Sequence, residues 1–303
     1  MLQKTGRGRG VAGMLLALLM AAWAGGTLAQ APPPLPPLVS PASGEQLSGK
    51  IIFVRLVTPD LSAAEHFYGI LFGWRFHDMA LPGVRYAVAT LDGHIVAGLA
   101  QLPLPSNGRR PAWLNFIATA DTDTTTRLAV KQGAKVLVAP RNVPDLGRVA
   151  ILVDPQGAAF AILQSSSGDP PDVLGDDGAW IWSSLITSNP NADAAFYQSL
   201  FGYEVYAAPG AAQDGHLIVA SQGYARASVN PLPTQRPGQH PQWLNFVRVA
   251  DAAASAQQAT ALGGRVLVPP HPDRDGNVVA LIADPQGAVL GLLQWTGAAE
   301  NGQ

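Results

Sequence analysis

The sequence predicts an α+β fold of two tandem modules, each a pair of β-α-β-β-β units forming an open mixed-sheet barrel or cleft. Three observations predict it. The 303-residue chain repeats itself at a spacing of about 130 residues. Short β-branched runs alternate with brief helical patterns inside each repeat. The chain is 48% hydrophobic and only 13% charged, enough apolar material to build cores and to exclude wholesale disorder.

The repeat is the strongest signal. Trp113-Leu114-Asn115-Phe116 recurs as Trp243-Leu244-Asn245-Phe246, and Asp154-Pro155-Gln156-Gly157-Ala158 as Asp284-Pro285-Gln286-Gly287-Ala288. Val136-Leu137-Val138 recurs as Val266-Leu267-Val268, and Leu163-Gln164 as Leu293-Gln294. Nearer the start, Phe67-Tyr68 pairs with Phe196-Tyr197 and Leu71-Phe72-Gly73 with Leu200-Phe201-Gly202, at a spacing of 129. The modules therefore span 50–166 and 179–296. A Gly-, Asp- and Pro-rich linker, 167–178, joins them, and a tail, 297–303, follows.

Within the first module, Ile51 to Val57 is β-branched and reads as a strand. Ser62-Ala63-Ala64-Glu65 has the form of a capping box, so a helix is expected from there. Phe67 and Leu71, four apart, give that helix its buried face, and Gly73 supplies a left-handed cap. Tyr86 to Thr90 and Ile95 to Leu102 are strands around an Asp92-Gly93 turn. The order then restarts: strand Trp113 to Thr119, helix Thr124 to Lys131, and strands Lys135 to Val138, Val149 to Val153 and Ala158 to Leu163. Asp154-Pro155-Gln156-Gly157 is the last hairpin turn, and each module is expected to carry its own core.

The N-terminus reads separately. Lys4, Arg7 and Arg9 precede an apolar stretch, Val11 to Ala24, and small residues ending at Ala24 or Ala29. Residues 1–29 thus have the form of a secretory signal peptide, with an uncleaved anchor as the alternative. The stretch is shorter than the ~20 residues a membrane span needs. A periplasmic or secreted protein with no stable membrane span is expected. Residues 30–49 are proline-rich and read as a tether.

The chain has no cysteine, which excludes disulfides and thiolate metal sites. Its formal net charge is -2, against the basic face of a dedicated nucleic-acid binder. Nucleophile-elbow, P-loop and dinucleotide motifs are missing.

A strand, then Thr58-Pro59-Asp60, then a helix ending Phe67-Tyr68-Gly69-Ile70-Leu71-Phe72-Gly73-Trp74 resembles the vicinal oxygen chelate superfamily. That superfamily includes glyoxalase I, bleomycin-resistance proteins and extradiol dioxygenases. The second copy runs from Thr187-Ser188-Asn189 to Leu200-Phe201-Gly202-Tyr203, and the resemblance covers about 50–296. It implies a cleft and, in metal-using members, a His or Gln early in each first strand with a carboxylate on the last. Carried over by position, the first-strand places are Phe53, Leu114, Trp182 and Leu244. The last-strand places are Ala161 and Gly291. None is a metal ligand.

Other cleft candidates follow from strand alternation. Phe53 and Arg55 share a face of the first strand, as do Trp182 and Ser184 of its counterpart. Arg55 and Arg226 can orient an anionic group or pack at a sheet edge. Tyr86 pairs with His216, and His94 with Tyr224, as rings suited to a cleft wall or to a half-exposed strand. Phe116 and Phe246 complete the set. His66, His240 and His271 read as surface residues. The expected function is metal-independent binding of a small, partly apolar and optionally anionic molecule, with no cofactor, by a monomer or homodimer. The alternatives are a glyoxalase-like lyase, isomerase or dioxygenase using a divalent metal, and a non-catalytic structural module.

Overall fold

The structure, a computed structural model, describes residues 35–81, 83–103, 111–208, 215–233 and 240–296. The signal-peptide reading, the start of the proline-rich segment and the tail lie outside the described residues. Among those described, no helix is long and apolar enough to cross a membrane.

Each module forms one eight-stranded sheet. The first contains β1 (Ile51–Thr58), β2 (Arg75–Leu81), β3 (Val84–Leu91), β4 (His94–Gln101), β5 (Ala112–Ala118), β6 (Lys135–Val143), β7 (Gly147–Val153) and β8 (Ala159–Ser165). Its order is β2-β3-β4-β1-β5-β8-β7-β6. β1 runs parallel to β4 and antiparallel to β5, and β5 runs parallel to β8. The second sheet repeats this order with β9 (Trp180–Thr187), β10 (Glu204–Ala207), β11 (Leu217–Ser221), β12 (Tyr224–Pro231), β13 (Gln242–Arg248), β14 (Arg265–Pro272), β15 (Val278–Ala283) and β16 (Val289–Gln294). β2 was not among the expected strands. It is an edge strand whose side chains are mostly exposed, so it carries little hydrophobic pattern.

Four helices complete the units: α1 (Leu61–Phe72), α2 (Thr122–Lys131), α3 (Pro190–Phe201) and α4 (Ala252–Ala261). α1 starts one residue before the expected capping box. Asp60, with extended backbone, is the N-cap and accepts from the Ala63 amide at 3.0 Å. Asp121, Asn189 and Asp251 cap the other three in the same way. Gly73 and Gly202 end α1 and α3 at φ 73° and 72°, conformations that a Cβ would disfavour.

The helices lie between the two sheets, and the cores cross from module to module. This corrects the expectation of one core per module. Phe67, Tyr68, Leu56 and Leu99 of the first module share a buried cluster with Val247, Ile282 and Leu290 of the second. Ile117, Phe160 and Ile162 share another with Phe196, Tyr197 and Trp243. The repeated motifs make the junction. The Tyr68 hydroxyl donates to Asp284 at 2.9 Å, and the Tyr197 hydroxyl donates to Asp154 at 3.0 Å. Asn115 and Asn245 exchange amide hydrogen bonds at 2.9 and 2.5 Å across the pseudo-two-fold. Each of these six buried side chains thereby finds a partner in the other copy.

Residues 35–49 do not behave as the expected tether. Leu35 and Leu38 are 6% and 9% exposed and sit in the first module's third buried cluster. The Val39 amide donates to Ser167 Oγ at 3.2 Å, Ser43 N to Ser167 O at 2.9 Å, and Leu47 N to Asp169 Oδ2 at 2.6 Å. The 167–178 linker is thus tied down from Ser167, and Ser167 and Asp169 are both buried.

Candidate functional site

Each sheet turns one face to the helices and leaves the other as a cleft. On the first sheet the cleft face carries Phe53 and Arg55 of β1, Phe116 of β5 and Tyr86 of β3. Register aligns Phe53 with Phe116, and Phe116 with Ala161. The sheet is curled, because Tyr86 of β3 and Leu146 at the β6–β7 turn line the same small cavity from opposite halves of the strand order.

The positions where the resemblance places metal ligands are filled with hydrocarbon. Phe246 sits against Gly291 so closely that a Cβ there would collide with its ring. A Cβ at Gly98, on the last strand of the first unit, would meet Tyr86 and Phe53. A longer carboxylate at either glycine needs those rings to leave. Among the described residues no group of three or more His, Asp or Glu side chains is placed to hold a metal ion. This donor set does not fit a divalent metal.

In the first cleft, Phe53 and Phe116 meet edge to face at 5.2 Å. The Arg55 guanidinium carbon lies 4.8 Å from the Phe116 ring centroid and 5.5 Å from that of Tyr86, a cation held against two aromatic faces. Arg55 Nε and the Tyr86 hydroxyl are buried without a hydrogen-bond partner among the described residues. Arg141, half-buried on β6, has its pKa lowered by burial and by the charge of Arg55.

The second cleft is open and differently furnished. Trp182 is half-buried, and its Nε1 donates to Ser228 Oγ at 3.2 Å. Ser228 also bonds Ser184 at 2.7 Å and accepts from Asn230 at 3.1 Å, and Asn230 Oδ1 contacts His216 Nδ1 at 2.9 Å. One wall is therefore aromatic, from Trp182 and Phe246, and the other is a chain of hydroxyl, amide and imidazole groups. Equivalent positions show the contrast between clefts: Leu137 of the first is 2% exposed, while Leu267 of the second is 38% exposed.

Of the residues expected at a site, the structure places Phe53, Arg55, Tyr86 and Phe116 together in one cleft, and Trp182, His216 and Phe246 on the other cleft face. The structure places the remaining two, His94 and Arg226, differently. His94 is exposed at the tip of the β3–β4 hairpin, opposite Leu91, because the strand only becomes enclosed beyond it. Arg226 faces the second cleft but is committed to the fold. It donates to Asp172 at 2.6 Å, Ser221 at 3.0 Å and Gln222 at 3.2 Å. Asp172 also binds Lys50 at 2.8 Å, so the linker captures both cations. Sequence reasoning missed Ser228 and Asn230. Their signal was there in the alternation of Arg226, Ser228 and Asn230 along β12.

A β-α-β-β-β pair repeated on two sheets, with clefts facing away from shared helices, defines a two-module vicinal oxygen chelate protein. The chain belongs to the glyoxalase/bleomycin resistance protein/dioxygenase superfamily, whose model matches residues 50–162, and a glyoxalase-like domain matches 183–293. It is 32% identical over 258 residues to a proposed glyoxylase of Mycobacterium tuberculosis, CFP32, covering 84% of this chain and 98% of that one. It is 30% identical over 256 residues to the anthracycline biosynthesis protein DnrV of Streptomyces peucetius, covering 79% and 90%. The fold is shared with a Mn(II)-bound glyoxalase from Novosphingobium aromaticivorans, at TM-score 0.57 and 16% identity, covering 82% and 83% of the two chains. An extradiol ring-cleaving dioxygenase from B. fuscum matches at TM-score 0.58 and 14% identity, covering 89% and 78%.

Proposed function

We propose that this chain binds a small, partly apolar organic molecule in the cleft of its second module, without a resident metal. The observation that carries the reading is the pairing there of an aromatic wall, Trp182 and Phe246, with a polar wall, Ser184, Ser228, Asn230 and His216. Such a cleft suits a flat apolar body bearing a hydroxyl or carbonyl oxygen. The relatives named for anthracycline biosynthesis support a polycyclic, oxygen-bearing ligand class. Calorimetric titration with 2-naphthol tests this. Trp182→Ala is expected to weaken binding about tenfold, the loss of one stacking partner. An unchanged affinity would remove the second cleft from consideration.

The metal-free reading rests on the ring-filled ligand positions. Elemental analysis of the purified full chain is expected to find sub-stoichiometric divalent metal, and a chelator is expected to leave thermal stability unchanged. A second reading, a glyoxalase-type enzyme, draws on the name of the mycobacterial relative. One equivalent of bound metal, lost on chelation together with activity, would establish it instead.

Export is part of the same proposal, on the basic, apolar and small-residue order of positions 1–29. N-terminal sequencing of the exported protein is expected to begin after Ala24 or Ala29. An intact Met1 in the membrane fraction would favour the anchor.

A further inference from the structure

We propose that residues 35–38 form an internal strap that competes for the first cleft with a carboxylate-bearing ligand. The inference rests on the reading that these clefts bind small molecules, and it concerns the other cleft. Leu35, Pro36 and Leu38 close over Phe53, Tyr86 and Val88, leaving a cavity of about 10 Å³. Among the described residues no such strap covers the second module's sheet, and there the equivalents of Tyr86 and Phe116, His216 and Phe246, are only half-buried.

The strap suits the hydrocarbon of this cleft and leaves its polar groups unserved. Leucine and proline side chains accept no hydrogen bond. Among the described residues the hydroxyl of Tyr86, whose ring lines the strap's cavity, and the Nε of Arg55, which lies against that ring, are buried and unpartnered. A buried donor without an acceptor is costly, and a charged one more so. A half-buried guanidinium held against two aromatic rings selects an anion on an apolar body, with the carboxylate accepting from Arg55 and the Tyr86 hydroxyl. Apart from the buried Leu35 and Leu38 side chains, the strap is held lightly by hydrogen bonds where it enters the cleft: the Val39 amide bonds one serine hydroxyl at 3.2 Å, while the firmer anchors lie from Ser43 onward. Residues 35–39 can leave while 43–49 stay in place.

A closed cleft lowers apparent affinity by the fraction of molecules in which it is open. The test uses the full chain with Trp182→Ala, which weakens binding in the second cleft, and 2-naphthoate as the probe. Adding Leu35→Ser and Leu38→Ser is expected to tighten naphthoate binding about tenfold or more. Arg55→Met is expected to remove that gain, and the neutral 2-naphthamide is expected not to show it. A gain below about fivefold, or one that survives Arg55→Met, overturns the proposal. Should the opened variant fail to fold, hydrogen exchange on the unmodified protein decides. Saturating naphthoate is expected to speed exchange of the Val39 amide, and an unchanged rate refutes displacement of the strap.

Discussion

Phe67→Ala is expected to cost about 3–5 kcal/mol and to destabilise both modules together. Phe67 is fully buried on α1 and meets Tyr68 edge to face at 5.1 Å. Its ring also packs across the module boundary, because a Cβ on Gly264 would come within 2.9 Å of it. The cavity left by the substitution therefore opens between α1 and the second sheet, where helix and strands cannot close it without parting the modules. Urea denaturation followed by near- and far-ultraviolet circular dichroism is expected to show one coincident transition, shifted to lower urea. A loss below about 1 kcal/mol would mean that the ring is not core. Two resolved transitions, with only the first displaced, would mean that the modules fold independently.

That crossing of cores marks the limit of what could be read from the chain. The inner strands, the four helices and the last hairpin turns are written in local patterns: Phe67 and Leu71 four apart, Gly73 at the end of α1. These patterns say that a face is buried but not what it is buried against. The Asp154 turn illustrates the difference. Its three amide contacts, to Gln156, Gly157 and Ala158, follow from the turn itself, but its fourth partner is Tyr197 of the other module. Asn115 and Asn245 carried a usable hint, since one polar residue recurs inside an apolar strand in both copies.

The candidate site was legible to the same depth. Alternation set Phe53 with Arg55, and Trp182 with Ser184, on their cleft faces. It did not show that Asp172 in the linker would claim Arg226 and Lys50. Nor did the proline-rich composition of 30–49 show that Leu35 and Leu38 would enter the first cleft. Two leucines among prolines are too few to signal a core, and only the empty aromatic cleft makes them one.

Asp193→Ala is expected to stabilise the protein above neutral pH, a reversal of the usual effect of altering a buried residue. Asp193 lies in the first turn of α3 and is fully buried, where its counterpart in the first module is Ala64. Burial first, and the charge of Asp154 second, push its carboxyl up to about 7, with the Thr187 hydroxyl opposing them. Asp154 is itself raised by burial, although it accepts four hydrogen bonds, so two desolvated acids share this interior. The folded state thus keeps its proton on Asp193 to higher pH than the unfolded chain does. Between about pH 4 and pH 7 the folded state binds more protons, and stability falls as pH rises through that window. Above pH 7 the full penalty applies, on the order of 4 kcal/mol for a shift of this size. Alanine removes the ionising group and leaves the residue the other module already carries. Urea midpoints measured from pH 4 to pH 8.5 are expected to show the variant gaining on the parent as pH rises, with the gain largest at pH 8 and above and near zero at pH 4. A variant that loses stability at pH 8, or whose pH profile parallels the parent's, would show that the Asp193 carboxylate is solvated or paired in the folded protein.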